Sequence, residues 1–114
     1  VAAESQLVYV PEIVLAEIAA AISRGTGQQA LALRLVAALR KVPHFEFVAV
    51  DDALGDLAAE IAARHQIRGC DAVYAALARQ RQAILITLDR QQRNRIPLDV
   101  VARTPAEELA HLSR

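Results

Sequence analysis

The stretch from 71 to 89, DAVYAALARQRQAILITLD, sets a helical segment rich in small side chains directly against a six-residue apolar strand. A helix that runs into a strand with no hairpin between them is half of a crossover, and crossovers join parallel strands. The same alternation recurs along the chain. LVYV (7–10), FEFVAV (45–50), AILITL (83–88) and LDVVA (98–102) read as strands. Pro11 and Glu12 start a first helix, PEIVLAEIAAAISRG (11–25), which Gly25 ends. Thr26 is the expected cap of a second helix, with Leu31, Leu35, Val36 and Leu39 at helical spacing and Pro43 beyond its end. Asp51 caps a third helix that turns Leu54, Leu57, Ala58 and Ile61 inward, and a fourth spans about 72–81. RQQRNR (90–95) is a polar turn or short helix, and Thr104, Pro105 and Glu107 spell a capping box for a last helix. Short strands alternating with longer helices predict an α/β fold, a mostly parallel sheet covered on both faces.

Only two Phe and two Tyr contribute to an apolar fraction of 54%, so an aliphatic, helix-rich core is expected and disorder is not. A chain of 114 residues suits a single domain. No apolar run approaches the ~18–20 residues that cross a bilayer, and no secretory signal precedes the first helix. A soluble, cytoplasmic protein without membrane contact is expected. Cys70 is the only cysteine, which excludes an internal disulfide and a Cys-based zinc cluster. Its expected role is a small buried hydrophobe at a helix start. Net charge is zero, but residues 1–60 carry four basic and eight acidic side chains, and residues 61–114 carry nine basic and five acidic. All nine of those bases are Arg, which is shaped for bidentate phosphate contact. That pattern fits either a polyanion partner or an ordinary solvated face.

Ligand sites in such sheets lie at the carboxyl edge of the strands. Asp71 opens a helix and so begins at that edge. Ten helical residues carry the chain ~15 Å away, and five or six strand residues bring it back ~17–20 Å. Asp89 therefore returns to the edge that Asp71 left. Two carboxylates so placed repel unless one is protonated or a cation joins them, and oxygen-only ligation suits Mg²⁺ or Mn²⁺. Glu17 offers a third acid, on a helix face shared with Ile13, Val14, Ala20 and Ala21. Simple capping by the aspartates and a solvated Glu17 are the competing structural readings.

IRGCDAVYAALARQRQAILITLD resembles the C-terminal half of PIN-domain ribonucleases, the VapC-like toxins of type II toxin–antitoxin systems. In them an Asp opens a helix of small residues and a Thr-x-Asp strand end supplies another acid. VPEIVLAEIAAAISR resembles the family's earlier, Glu-bearing helix. The likeness runs from about Leu7 to Ala102 and rests on order and spacing. It implies a three-layer α/β/α sandwich and a metal-binding acidic set of Glu17, Asp71 and Asp89, with the Thr87 hydroxyl orienting a carboxylate or water. It further implies an Mg²⁺- or Mn²⁺-dependent endoribonuclease acting on RNA, a cognate antitoxin and a homodimer. Arg68 and Arg90 flank the two aspartates and are candidates for RNA phosphate contact or for pairing with those acids. The family opens with a strand ending in Asp, which has no counterpart before LVYVPE. Residues 1–114 are thus expected to be a single PIN-like domain, N-terminally incomplete and short of one ligand.

An alternative is a catalytically silent PIN-like module that binds RNA or protein. A phosphoacceptor receiver domain, suggested by VAVDDAL, fails because the only Lys, Lys41, stands in the wrong place. No Gly-rich phosphate loop is present. His44, His65 and His111 are assigned no chemistry.

Overall fold

The structure, a computed structural model, describes residues 7–87, 94, 95, 97 and 99–112. The chain divides into two compact units, Val1–Ala49 and Val50–Arg114. The first holds β1 (Val8–Pro11), α1 (Ile13–Thr26), α2 (Gln29–Arg40) and β2 (Phe45–Val48). The second holds α3 (Asp52–His65), α4 (Gly69–Arg81), β3 (Leu85–Ile86), β4 (Ala102–Arg103) and α5 (Pro105–Leu112). β1 pairs with β2 and β3 with β4, both in parallel, as an α/β crossover pattern requires.

In the first unit β1 lies in register with β2 from Val8 opposite Phe45 to Pro11 opposite Val48. Pro11 therefore ends a strand and does not open the helix. The Glu12 N–H continues the pairing by donating to the Val48 carbonyl at 2.9 Å, and α1 starts one residue later. α1 also runs past Gly25. It stops at Gly27, whose φ of +69° and N–H bond to the Ser23 carbonyl form a left-handed cap. Thr26 belongs to the last turn of α1, donating its hydroxyl to the Ile22 carbonyl at 2.7 Å, and Gln28 is the N-cap of α2. The inward side of α2 carries buried Ala32 and half-buried Val36 and Leu39, while Leu31 and Leu35 are exposed. Choosing Ala over Leu at the contact lets the α1–α2 hairpin close tightly, a choice that leucine spacing alone does not reveal.

A charged clasp holds the end of the strand pair. Arg40, the last residue of α2, donates both terminal nitrogens to the Glu12 carboxylate, at 3.0 and 2.8 Å. The same guanidinium lies 5.3 Å from the centroid of the Phe47 ring. The Arg40 fork holds the Glu12 carboxyl below its ordinary value.

α4 is the centre of the second unit. Ala72, Ala75, Ala76, Leu77 and Ala78 are all buried on it. Leu54, Ala58 and Ile61, at the expected helical spacing, are the buried residues of α3, which packs along α4. Ala78 also joins Leu85 and Val100 in a cluster flanked by Tyr74 and Ala102, so α4 touches the strands as well. Asp51 caps α3 as its position in the sequence implies, accepting from the Leu54 N–H at 2.9 Å. The α5 capping box is complete: the Glu107 N–H donates to Thr104 Oγ1 at 3.1 Å, and the Thr104 N–H to Glu107 Oε1 at 3.0 Å. The expected six- and five-residue strands shorten to Leu85–Ile86 and Ala102–Arg103, with Leu88 and Leu98 outside the described residues. Among those residues, no helix is long and apolar enough to cross a membrane.

Two outcomes follow for stability. Leu54, fully buried between α3 and its neighbours, should cost about 2–5 kcal/mol when truncated in Leu54→Ala, read as a lower urea midpoint. Because the Glu12 pKa is lowered on folding, its contribution is present above the ordinary Glu value and is lost as pH falls through the depressed one. Glu12→Gln should therefore lower the midpoint slightly at neutral pH, with the difference from the parent protein closing as pH falls below about 4.3.

Candidate active site

Two tertiary contacts set the direction of α4 within the second unit. At its C-terminal end, Arg79 Nη2 donates to Asp99 Oδ1 at 2.7 Å, just ahead of β4. Near its start, Arg95 Nη1 donates to the Gln66 carbonyl at 3.0 Å, and Arg95 lies beyond β3 in the chain. α4 thus runs opposite to the parallel strands. The reversal is made at Gln82, in the left-handed conformation with φ of +52°, followed by an Ala83 N–H bond to the Ala78 carbonyl at 2.8 Å. The eleven residues from Asp71 to Arg81 and the five from Ala83 to Thr87 each span about 16 Å at helical and strand rises. The start of α4 and the end of β3 therefore face one end of the unit.

Asp71 sits in that first turn. α4 begins at Gly69 with Arg68 as its N-cap, so Asp71 is a first-turn acid, a position favoured by the helix dipole, and not the cap itself. Its side chain keeps 21% of its exposure, and Oδ2 accepts from Arg68 Nε at 3.0 Å. Arg68, 73% exposed, is therefore an ion-pair partner of Asp71. Of the expected site residues, these two are brought together. Thr87 follows β3, is buried, and donates its backbone N–H to the Arg103 carbonyl at 3.0 Å, which extends the β3–β4 ladder by one rung. Glu17 lies in the second turn of α1, in the first unit, and is exposed. Asp89 and Arg90 lie outside the described residues. Cys70, expected inside, is exposed: at the second residue of α4 it faces away from the alanine surface.

Among the described residues, no three His, Cys, Asp or Glu side chains converge as a metal site would require. The oxygen donors at this end, the Asp71 carboxylate and the Thr87 hydroxyl, are of the kind a hard divalent cation takes, and the exposed Cys70 thiol stands beside Asp71 in the chain. Sequence reasoning missed Arg95. It lies within a polar segment with no periodicity, and its bond to Gln66 is a tertiary contact that local pattern does not reveal.

The PIN domain family matches residues 2–95, which is most of the chain and runs through both compact units. The chain is a PIN domain. Its fold is also similar to a chain of the VapBC2 structure from Rickettsia felis, solved bound to a DNA fragment from their promoter. That likeness has a TM-score of 0.70 and 15% identity, covering 90% of this chain and 77% of the other. No curated protein matches significantly. The parallel strand pairs and the helix-to-strand return through Asp71 and Thr87 are thus those of a PIN fold.

Exposure at the start of α4 has a direct chemical consequence in this PIN domain. A thiol reagent such as a chromogenic disulfide should label Cys70 in the native protein about as fast as in denaturant, with one thiol titrated.

Proposed function

We propose that this PIN domain is a divalent-metal-dependent endoribonuclease, the toxin of a toxin–antitoxin pair. The observation that carries the reading is the half-buried Asp71 carboxylate in the first turn of the most buried helix, at the end of the unit to which β3 returns. A helix start so anchored holds a carboxylate with little reorganisation, which is what a metal ligand needs. Family membership and a fold like that of a VapBC2 chain support the same reading. Residues 1–114 are read as one domain because the family match passes through both units.

The residues fit an Mg²⁺ or Mn²⁺ ion in donor chemistry. Glu17, Asp71 and Asp89 would hold it, and Thr87 would orient a carboxylate or a water through its hydroxyl. When bound, such an ion supplies Lewis-acid stabilisation of the phosphate and a water of lowered pKa. The chain's own work is electrostatic. Arg68 pairs with the Asp71 carboxylate, and Arg68 and Arg90 are cations suited to the phosphodiester backbone of the RNA substrate. A cognate antitoxin that covers these acids, a homodimer of the toxin and a cytoplasmic location complete the proposal.

A catalytically silent module that binds RNA or protein is the second reading. It is favoured by the Arg68–Asp71 ion pair, which satisfies the carboxylate without a metal. Titrating Mn²⁺ into the intact protein with a labelled RNA separates the two. Asp71→Asn and Asp89→Asn should each lower cleavage roughly 100-fold, the scale of removing one electrostatic stabiliser of a transition state. Cleavage unchanged by both substitutions overturns the nuclease reading, and calorimetry showing no heat of Mn²⁺ binding by the parent protein favours the silent module.

A further inference from the structure

Four arginines of the second unit are matched by carboxylates: Arg64 by Glu60 at 3.1 Å, Arg68 by Asp71 at 3.0 Å, Arg79 by Asp99 at 2.7 Å and Arg103 by Glu108 at 3.2 Å. Arg95 is different. It is exposed, and its hydrogen bond is to a neutral partner, the Gln66 carbonyl, from 29 residues away. A backbone carbonyl fixes the side chain in place and leaves its charge uncompensated. One Nη1–H is used, and the planar fork retains donors on its other nitrogens.

The place where that charge is held matters. Gln66 ends α3 in the left-handed conformation with φ of +54°, two residues before the Arg68 N-cap of α4. The α4 N-terminus contributes partial positive charge there. Asp71 pairs with Arg68, whereas the hydrogen-bond partner of Arg95 is neutral, so among the described residues the Arg95 guanidinium adds positive charge at this corner, beside the α4 N-terminus. An exposed, positioned and uncompensated guanidinium at such a corner is suited to a planar anionic group with paired oxygens.

We infer that Arg95 is a phosphate-backbone contact for single-stranded RNA, gripping the strand at the α3–α4 junction beside Asp71. This rests on the nuclease reading for the identity of the polyanion, but it concerns binding and is testable without cleavage. The contact is sequence-independent and sets where the strand lies, not which base is read. The competing structural role, capping the orphan carbonyl at the end of α3, needs only one N–H and no surplus charge.

The test is the salt dependence of binding of a short labelled single-stranded RNA to the intact protein, with EDTA present so that no strand is cut. Arg95→Gln should weaken binding several-fold at low salt and reduce the slope of log K against log salt by about 0.7, the value for one phosphate contact on a single strand. Arg95→Lys retains the charge and a donor for Gln66, so it should keep the slope while losing part of the affinity. It also serves if Arg95→Gln fails to fold. A thermal melt of each variant isolates the capping role. Arg95→Gln that melts lower yet keeps the wild-type slope overturns the inference, as does an Arg95→Lys slope reduced by the same 0.7. Loss confined to DNA of the same sequence, with RNA binding unmoved, overturns it too. A protein that binds RNA with the predicted slope change but never cuts it upholds Arg95 and removes the nuclease reading; one that cuts RNA with an Arg95→Gln slope unchanged does the reverse. Absence of RNA binding by the wild type overturns both.

Discussion

Burial of α4 on more than one side is the constraint on which the second unit depends. Alanine at 72, 75, 76 and 78 makes it possible, because a side chain of one carbon lets α3 approach closely while Ala78 still meets Leu85 and Val100. Alanine also loses no rotamer entropy on burial, so the close contact is gained at little conformational cost. A larger side chain at Ala75 or Ala76 would have to displace packed neighbours, for about 1–3 kcal/mol in a well-filled core. The helix carrying Asp71 is thereby the least free element of its unit. A carboxylate on its first turn inherits that rigidity, which the proposed ligand role of Asp71 would require.

The ion pairs act differently from the core. Exposed pairs contribute about 0–1 kcal/mol each, so their number says little about stability. Their geometry says more. Arg79–Asp99 and Arg95–Gln66 both tie the α3–α4 pair to residues that lie between β3 and β4 in the chain. The Arg79 bond holds the Asp99 carboxyl below its ordinary value, in the same way that the Arg40 fork acts on Glu12 in the first unit. In both units a guanidinium ties the C-terminal end of a helix to an acid at one end of a strand, Glu12 just past β1 and Asp99 just ahead of β4.

Much of this was legible in the sequence where local chemistry decides the outcome. The Asp51 cap, the Thr104–Glu107 box and the Leu54, Ala58, Ile61 stripe follow from side chains acting within one or two turns. Helix ends were less legible. Gln66 and Gln82 adopt left-handed conformations that glycine usually marks, and Gly25, which looks like a stop, is passed over in favour of Gly27. Strand lengths were overread because apolar runs continue beyond the paired residues. At the candidate site, the spacing that predicts a shared edge runs from Asp71 to Asp89, and Asp89 lies outside the described residues. The ion pair on Asp71 and the tether of Arg95 were not readable, since each depends on where an arginine side chain is placed in space.

The Arg68–Asp71 pair and a metal at Asp71 are not mutually exclusive, and the exposure of the pair shows why. Arg68 keeps 73% of its side-chain exposure, so its attraction to Asp71 is screened by water and falls within the small range of surface pairs. A divalent ion at a similar distance carries twice the charge, and it recruits further carboxylates where a guanidinium satisfies one. On the proposed nuclease reading, an Arg68 displaced by a cation would still stand at the N-cap of α4, placed for the phosphates of a bound strand. Arg68 would then change partner without changing place, pairing with the carboxylate in the absence of metal and with the phosphate in its presence.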